Sequence, residues 1–232
     1  MTTFPRRSFV YRRVGEANVS FVALDGAGFG ETSDPASVGN GLKLVDLSVL
    51  PRWGLKGRGI ASWLARHGMT MPVADNRAER QQDGSLLARL APAEVLILAH
   101  VIGKSVLAGP IERMAPGGED ACYGAPRRES HCWFVVIGSD AAKMFAKLCG
   151  VDLSPGRFAI GQIAQTSVAR LNAIVIRQDL GGLLAFSVLA DSASAEYLWD
   201  CLLDAMAEFA GAVCGADAIL DLVPVPRTSI AR

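Results

Sequence analysis

The chain has 232 residues, half of them hydrophobic, with aromatics at only 7%. That supplies a core of Ala, Val, Leu and Ile without staples, fits one or two domains, and excludes a chain disordered throughout. Lys plus Arg and Asp plus Glu are equal at 23 each, so no net positive field holds a polyanion, and dedicated nucleic-acid binding is not expected.

The longest apolar stretches, around Val95–Ala99 and Leu183–Ala190, fall short of the roughly 18 residues of a membrane span. No membrane association is expected. Arg6, Arg7, Arg12 and Arg13 surround only Ser8 to Tyr11, too short for the apolar region of a secretory signal. The cytoplasm is the expected location. Cys122, Cys132, Cys149, Cys201 and Cys214 are odd in number and form no CxxC pair, so they read as reduced, mostly buried thiols.

Residues 1–40 read as a loosely structured N-terminal extension with a short strand at Val19–Leu24, followed by the glycine-rich run Asp25 to Gly30 and then Ser33-Asp34-Pro35. A first half is expected over 41–112. It has a strand at Leu44–Leu47, a turn-rich link at Gly54–Gly59, and a helix from Ile60 that stops at Gly68. Two apolar runs, Leu86–Leu90 and Val95–Ile102, then flank Ala91 to Glu94 as a hairpin. Prolines and glycines mark 113–130 as a connecting loop.

The same pattern returns over 131–214. A strand at Trp133–Ile137 leads into a helix at Gly138–Lys147, capped by Ser139 or Asp140. Strands follow at Ile163–Ala169, Leu171–Arg177 and, after a Gly181-Gly182 turn, Leu183–Leu189. A final helix at Ser194–Val213 places Leu198, Leu202, Ala205, Met206 and Phe209 on one face. Residues 215–232 read as a tail. A shift of 81 aligns Gly138 with Gly57, Ala142 with Ala61, Ala146 with Ala65 and Lys147 with Arg66. The expected fold class is α+β, built from two related strand-helix-hairpin halves.

Few residues carry a chemical pattern. Gly26-x-Gly28-x-Gly30 follows a strand, but its third glycine is not at the spacing of a dinucleotide site, and Ser33-Asp34-Pro35 stand where the helix should start. Gly54-Leu55-Lys56-Gly57-Arg58-Gly59 lies between a strand and a helix and resembles the pyrophosphate loop of acetyl-CoA-dependent N-acetyltransferases, although Gly54 stands where that family has Arg or Gln. A glycine turn that lets the helix pack closely explains the same residues. His67, His100 and His131 have no zinc-ligand spacing, and no Gly-x-Ser-x-Gly elbow is present, so no metal and no nucleophile are expected. Arg170 and Arg177, on adjacent expected strands, are placed to meet an anion.

Leu44-Val45-Asp46-Leu47-Ser48, Leu50-Pro51-Arg52, Gly54-Leu55-Lys56-Gly57, Asp83-Gly84, Arg89-Leu90 and Glu94 to Leu98 resemble the gamma subunit of heterotetrameric sarcosine oxidase. So do Val151-Asp152-Leu153, Ala164-Gln165-Thr166, Ile174 to Arg177 and Ala195 to Asp200, in the same order. The resemblance covers residues 44 to about 210. That family is related to the folate-binding aminomethyltransferases, such as the glycine cleavage T-protein, so the resemblance implies a duplicated folate-binding-type fold.

The resemblance also names positions to test. The folate enzymes carry Arg-Thr-Gly-Tyr-Thr-Gly-Glu, whose glutamate holds the pterin edge; here the stretch is Arg177-Gln178-Asp179-Leu180-Gly181-Gly182-Leu183. Leu183 at the glutamate position leaves pterin donors unpaired, a loss of about 1–3 kcal/mol per buried group. Asp83 aligns with one of the family's paired aspartates without its glycine neighbours, and a surface Asp-Gly turn accounts for it equally well. Asp83, Arg177 and Leu183 are thus expected as vestigial folate-pocket positions.

The resemblance implies no cofactor in this chain, with flavin, NAD and tetrahydrofolate on partner subunits. It implies a non-catalytic gamma-type subunit of a complex that oxidatively demethylates an N-methylated amine or amino acid. The alternatives are a stand-alone tetrahydrofolate-dependent aminomethyl or demethylating transferase and, through the Gly54–Gly59 loop, an N-acetyltransferase.

Overall fold

The computed structural model describes residues 4–17, 19–24, 26–32, 41–102, 105–107, 116–220 and 222. The chain begins with a short helix α1 (Tyr11–Gly15) and a hairpin of β1 (Val19–Leu24) and β2 (Ala27–Thr32). Next come β3 (Lys43–Asp46), β4 (Arg52–Lys56), α2 (Ile60–Arg66), β5 (Arg77–Arg80), β6 (Leu86–Ala91) and β7 (Glu94–Leu98). After a small hairpin, β8 (His100–Ile102) with β9 (Ser105–Leu107), the chain forms β10 (Tyr123–Pro126), β11 (His131–Ile137) and α3 (Ala141–Phe145). It ends with β12 (Ile163–Val168), β13 (Leu171–Arg177), β14 (Ala185–Asp191), α4 (Ala195–Met206), β15 (Ala212–Cys214) and α5 (Asp217–Leu220). This is an α+β protein. No helix among the described residues is long and apolar enough to cross a membrane.

Two sheets dominate. One runs β10-β4-β7-β6-β5 and the other β12-β13-β14-β11-β3-β15. Strands cross between them, because β3, early in the chain, pairs with β11, and β10 pairs with β4, both antiparallel. The sheets meet along one margin, where Ile163 N–H donates to Asn76 O at 2.9 Å and Ala78 N–H to Gly161 O at 2.7 Å.

Strand alternation divides the core into three layers. On β11, Cys132, Phe134 and Val136 face α3 and α4, while Trp133, Val135 and Ile137 enter the layer between the sheets. On the five-stranded sheet, Leu86, Ala88, Leu96 and Leu98 join that middle layer, and Leu87, Val95 and Ile97 pack on Ile60, Trp63 and Leu64 of α2. Burial on both faces is why β7, β11 and β14 read as nearly unbroken apolar runs.

Several expectations are corrected. The turn-rich link expected at Gly54–Gly59 is largely strand, since Gly54 lies in β4 where a Cβ would come 2.7 Å from Ala125 O of β10. Only Gly57 and Gly59 serve the turn. The helix expected over 138–147 is α3, and its N-cap Asp140 bonds Lys143 Nζ at 2.7 Å rather than capping. The final helix stops at Met206, with a 3-10 turn at Ala207–Phe209, because Ala210 turns left-handed (φ 50°) and Gly211 N–H bonds Met206 O. The apolar run beyond it becomes β15, parallel to β3. Part of the expected connecting loop is β10, and 113–115 lie outside the described residues.

The N-terminal segment, expected as a loose extension, is folded over its described residues. Val10, Val14 and Val19 enter the helix-side core, Leu24, Ala27 and Phe29 enter the middle layer, and Phe4, Tyr11 and Phe21 stack with one another. The expected tail is also used: Asp217 Oδ1 accepts from Thr32 N–H at 2.7 Å and Oγ1 at 3.1 Å. Ser33, Asp34, Pro35 and most of 221–232 lie outside the described residues.

Candidate functional site

The glycines of the two glycine-rich runs are turned to the protein's own backbone and side chains. Gly28 N–H donates to Arg6 O at 3.0 Å, and a Cβ there would come 2.9 Å from the Phe4 ring. At the second loop, Gly59 N–H donates to Ala121 O at 3.1 Å, and a Cβ on Gly59 would collide with Asp120 O. Gly57 adopts φ 128° against Ala121 and Cys122. These glycines serve close backbone packing, and the N–H groups of Gly28, Gly57 and Gly59 are spent on protein carbonyls.

Arg177, Asp83 and Leu183 are each tied to local structure. Arg177 is 8% exposed; its Nε and Nη2 donate to Asp179 Oδ1 and Oδ2 at 2.9 and 2.8 Å, and Nη1 donates to Phe158 O and Pro155 O at 2.5 and 3.2 Å. The Asp179 carboxylate raises the guanidinium pKa. Arg177 thus anchors the 155–158 loop, and it does not meet Arg170, which turns the β12–β13 hairpin at φ 68°. Asp83 Oδ1 accepts from Ser85 N–H and Oγ at 2.9 and 2.6 Å, closing its own turn. Leu183 is 40% exposed and paired with Leu180 across the turn made by Gly181 (φ 57°) and Gly182 (φ 79°).

Between the sheets runs a polar chain that sequence reasoning missed. Trp133 Nε1–H donates to the buried Ser187 Oγ at 2.9 Å, Gln178 Nε2 lies 2.6 Å from the same oxygen, and Arg80 Nη2 lies 3.4 Å from Gln178 Oε1. Arg80 Nη1 also donates to Gly84 O at 2.8 Å, which links the Asp83 turn to the residue after Arg177. The signal available was Ser187, a polar residue inside the apolar run from Ala185 to Ala190 of β14.

Arg52 was missed as well. It is 0% exposed and gathers four carbonyls: Nη1 donates to Ser48 O and Leu50 O at 2.9 Å each, and Nη2 to Arg128 O and His131 O at 2.5 and 2.7 Å. Burial lowers its pKa to about 10, opposed chiefly by the charge of Asp46. The Asp46 residue keeps some exposure but its carboxyl is enclosed, and burial raises its pKa against hydrogen bonds from Ser8 and Ser48. The cluster fastens the β3–β4 connection to the β10–β11 connection.

A cavity of about 330 Å³ opens at the other end of β13 and β14, lined by His131, Gln165, Asn172, Ile174 and Leu189. Burial, with Arg127 and Arg52 nearby, holds His131 below its usual pKa, so the ring is neutral at pH 7. Gln165 Nε2 is spent on Asn76 Oδ1 and Leu90 O. Burial pushes the Cys132 thiol up to about 12 and Cys214 to about 11, so neither is a nucleophile. Among the described residues no three His, Cys, Asp or Glu side chains gather as metal ligands.

The chain is similar to proteins of two kinds. A chain of heterotetrameric sarcosine oxidase from Corynebacterium sp. U-96, solved with pyrrole 2-carboxylate, is 21% identical with a TM-score of 0.65, covering 89% of this chain and 97% of that one. Glycine cleavage system aminomethyltransferase T from Bartonella henselae is 16% identical with a TM-score of 0.68, over 94% of this chain and 61% of that one. No curated protein matches the sequence. The model of the GCVT N-terminal domain matches residues 32–222, a span that takes in both sheets and every residue of the Arg52 and Arg80 clusters except Ser8. The chain therefore belongs to the GCVT N-terminal domain family, and its fold is aminomethyltransferase-like.

Proposed function

We propose that this chain is a non-catalytic, gamma-type subunit of a sarcosine oxidase-like complex, which works by assembling with companion subunits in the cytoplasm. The complex oxidatively demethylates an N-methylated amine or amino acid, with flavin, NAD and tetrahydrofolate carried by the companions. Asp83, Arg177 and Leu183 are vestiges of a folate pocket. The two sheets are copies of one duplicated unit, a reading supported by their shared strand order and exchanged leading strands.

One observation carries this reading: Arg177 is spent on Asp179 and two carbonyls, Leu183 presents an exposed side chain without a polar group, and Asp83 has one carboxylate oxygen engaged by its own turn. Donors of a pterin edge placed against Leu183 would lose water without gaining acceptors. These positions do not fit a pterin.

The second reading, a tetrahydrofolate-dependent transferase, is favoured by the family itself. Titration of the isolated chain with tetrahydrofolate separates the two, and micromolar binding overturns the first. Affinity purification of the tagged chain from its native cells is expected to bring down a flavin-containing polypeptide. Recovery of a well-folded monomer alone counts against assembly.

A further inference from the structure

Hydrogen bonding around Gln178 does not close with its carboxamide nitrogen toward Ser187. Ser187 Oγ, fully buried, receives Trp133 Nε1–H at 2.9 Å and faces Gln178 Nε2 at 2.6 Å. With both as donors, the Ser187 hydroxyl hydrogen has no acceptor among the described residues. A separation of 2.6 Å also suits an O–H···O bond better than N–H···O, whose usual range starts near about 2.7 Å.

Turning the carboxamide over exchanges its oxygen and nitrogen, which the network alone must assign. Ser187 then donates to Gln178 Oε1 and still accepts from Trp133, so the polar hydrogens of the two buried members, Trp133 and Ser187, are both used. The same turn sets Gln178 Nε2 opposite Arg80 Nη2, 3.4 Å away, so that two donors converge.

Among the described residues no other acceptor serves that pair. Asp83 is turned to Ser85 and Asp179 to Arg177, and no carboxylate pairs with Arg80 among the described residues. Burial without a counter-charge lowers the Arg80 pKa. A neutral acceptor satisfies the two hydrogens but leaves the charge unbalanced. A carboxylate does both, and a single cation matches a monoanion better than a phosphate dianion. Both residues are half-buried, and Arg80 is fixed to the Asp83 turn through Gly84 O, so the pair is held in place while still open to a small solute.

We propose that Arg80 and Gln178 form a binding site for the carboxylate of a small organic acid, each donating one N–H to it. The site uses none of the vestigial folate positions.

The test is a titration of the full chain with acetate, following the arginine Nε resonances and Tm, with sodium chloride at matched ionic strength as control. A saturable shift of one arginine resonance is expected, absent from Arg80→Met, with a rise in Tm that chloride does not reproduce. Gln178→Glu supplies the carboxylate from within the chain. It is expected to raise Tm without acetate and to lose the saturable response, which decides the matter even if Arg80→Met fails to fold. The proposal is overturned if acetate produces no saturable response, if chloride reproduces it, or if folded Arg80→Met or Gln178→Glu retains it.

Discussion

Gly57 and Gly138 hold matching positions in the two sheets, with φ of 128° and 139° where β4 and β11 give way to α2 and α3. Gly57 N–H donates to Ala93 O at 3.0 Å, just before β7, and Gly138 N–H donates to Leu184 O at 2.9 Å, just before β14. Each residue thus ties the start of a helix to the strand that returns beside it. A Cβ on Gly57 would come 2.5 Å from Ala121 O, and one on Gly138 2.9 Å from Leu42 Cδ2.

Alanine at either position is therefore expected to destabilise the fold by about 1–3 kcal/mol. Gly57→Ala is the worse of the two, because its obstacle is a backbone carbonyl whereas the Leu42 side chain can rotate. Urea melts of the two variants measure the difference. Equal stability of Gly57→Ala and the parent chain contradicts the assignment.

Arg52 supports a second prediction. One guanidinium satisfies carbonyls from two connections that are far apart in sequence, Ser48 and Leu50 on one side and Arg128 and His131 on the other. Arg52→Met leaves these acceptors and the enclosed Asp46 carboxyl without a cation, with an expected loss of at least about 3 kcal/mol. Arg52→Lys restores the charge but not the fork, and is expected to recover less than half of the loss. Denaturant melts of both variants give the comparison.

How stability varies with pH tests Asp46. Its folded-state pKa is raised, mainly by burial, above the ordinary 3.8. Between those values the folded state binds a proton more readily than the unfolded one, so protonation favours folding. Relative to Asp46→Asn, the parent chain is expected to gain stability as pH falls from neutral through the raised pKa toward about 4, and then to level off. A parent chain that loses stability relative to the variant over that range reverses the sign and refutes the burial argument.

Elements were legible where side-chain period and chain punctuation agreed. The β6–β7 hairpin was marked by two apolar runs around Ala91 to Glu94, and β13 with β14 by the Gly181-Gly182 turn. Gly54 misled because a glycine in a strand looks like a turn until the neighbouring β10 is known to lie against it. The end of α4 was hidden because Ala210, not glycine, takes the left-handed conformation and the apolar run continues into β15. The resemblance pointed to Arg177 and Leu183, but not to their use. Arg177 is spent on a loop brought from 19 and 22 residues away, and nothing local marks Arg52 as a collector of distant carbonyls.

The contrast between Arg177 and Leu183 makes the last prediction, since both come from one short stretch. Arg177 holds Asp179 and the carbonyls of Phe158 and Pro155 from a buried position, so Arg177→Met strands an acid and two carbonyls. A loss of about 2–4 kcal/mol is expected, with faster proteolysis of the 155–158 loop. Leu183 is exposed on its turn, so Leu183→Glu is expected to stay within about 0.5 kcal/mol of the parent chain. If Leu183→Glu also gained micromolar affinity for tetrahydrofolate, one lost carboxylate would be the whole barrier to folate binding. The expected result is no gain, because Asp83 and Arg177 remain committed elsewhere and a restored glutamate alone does not rebuild a pocket.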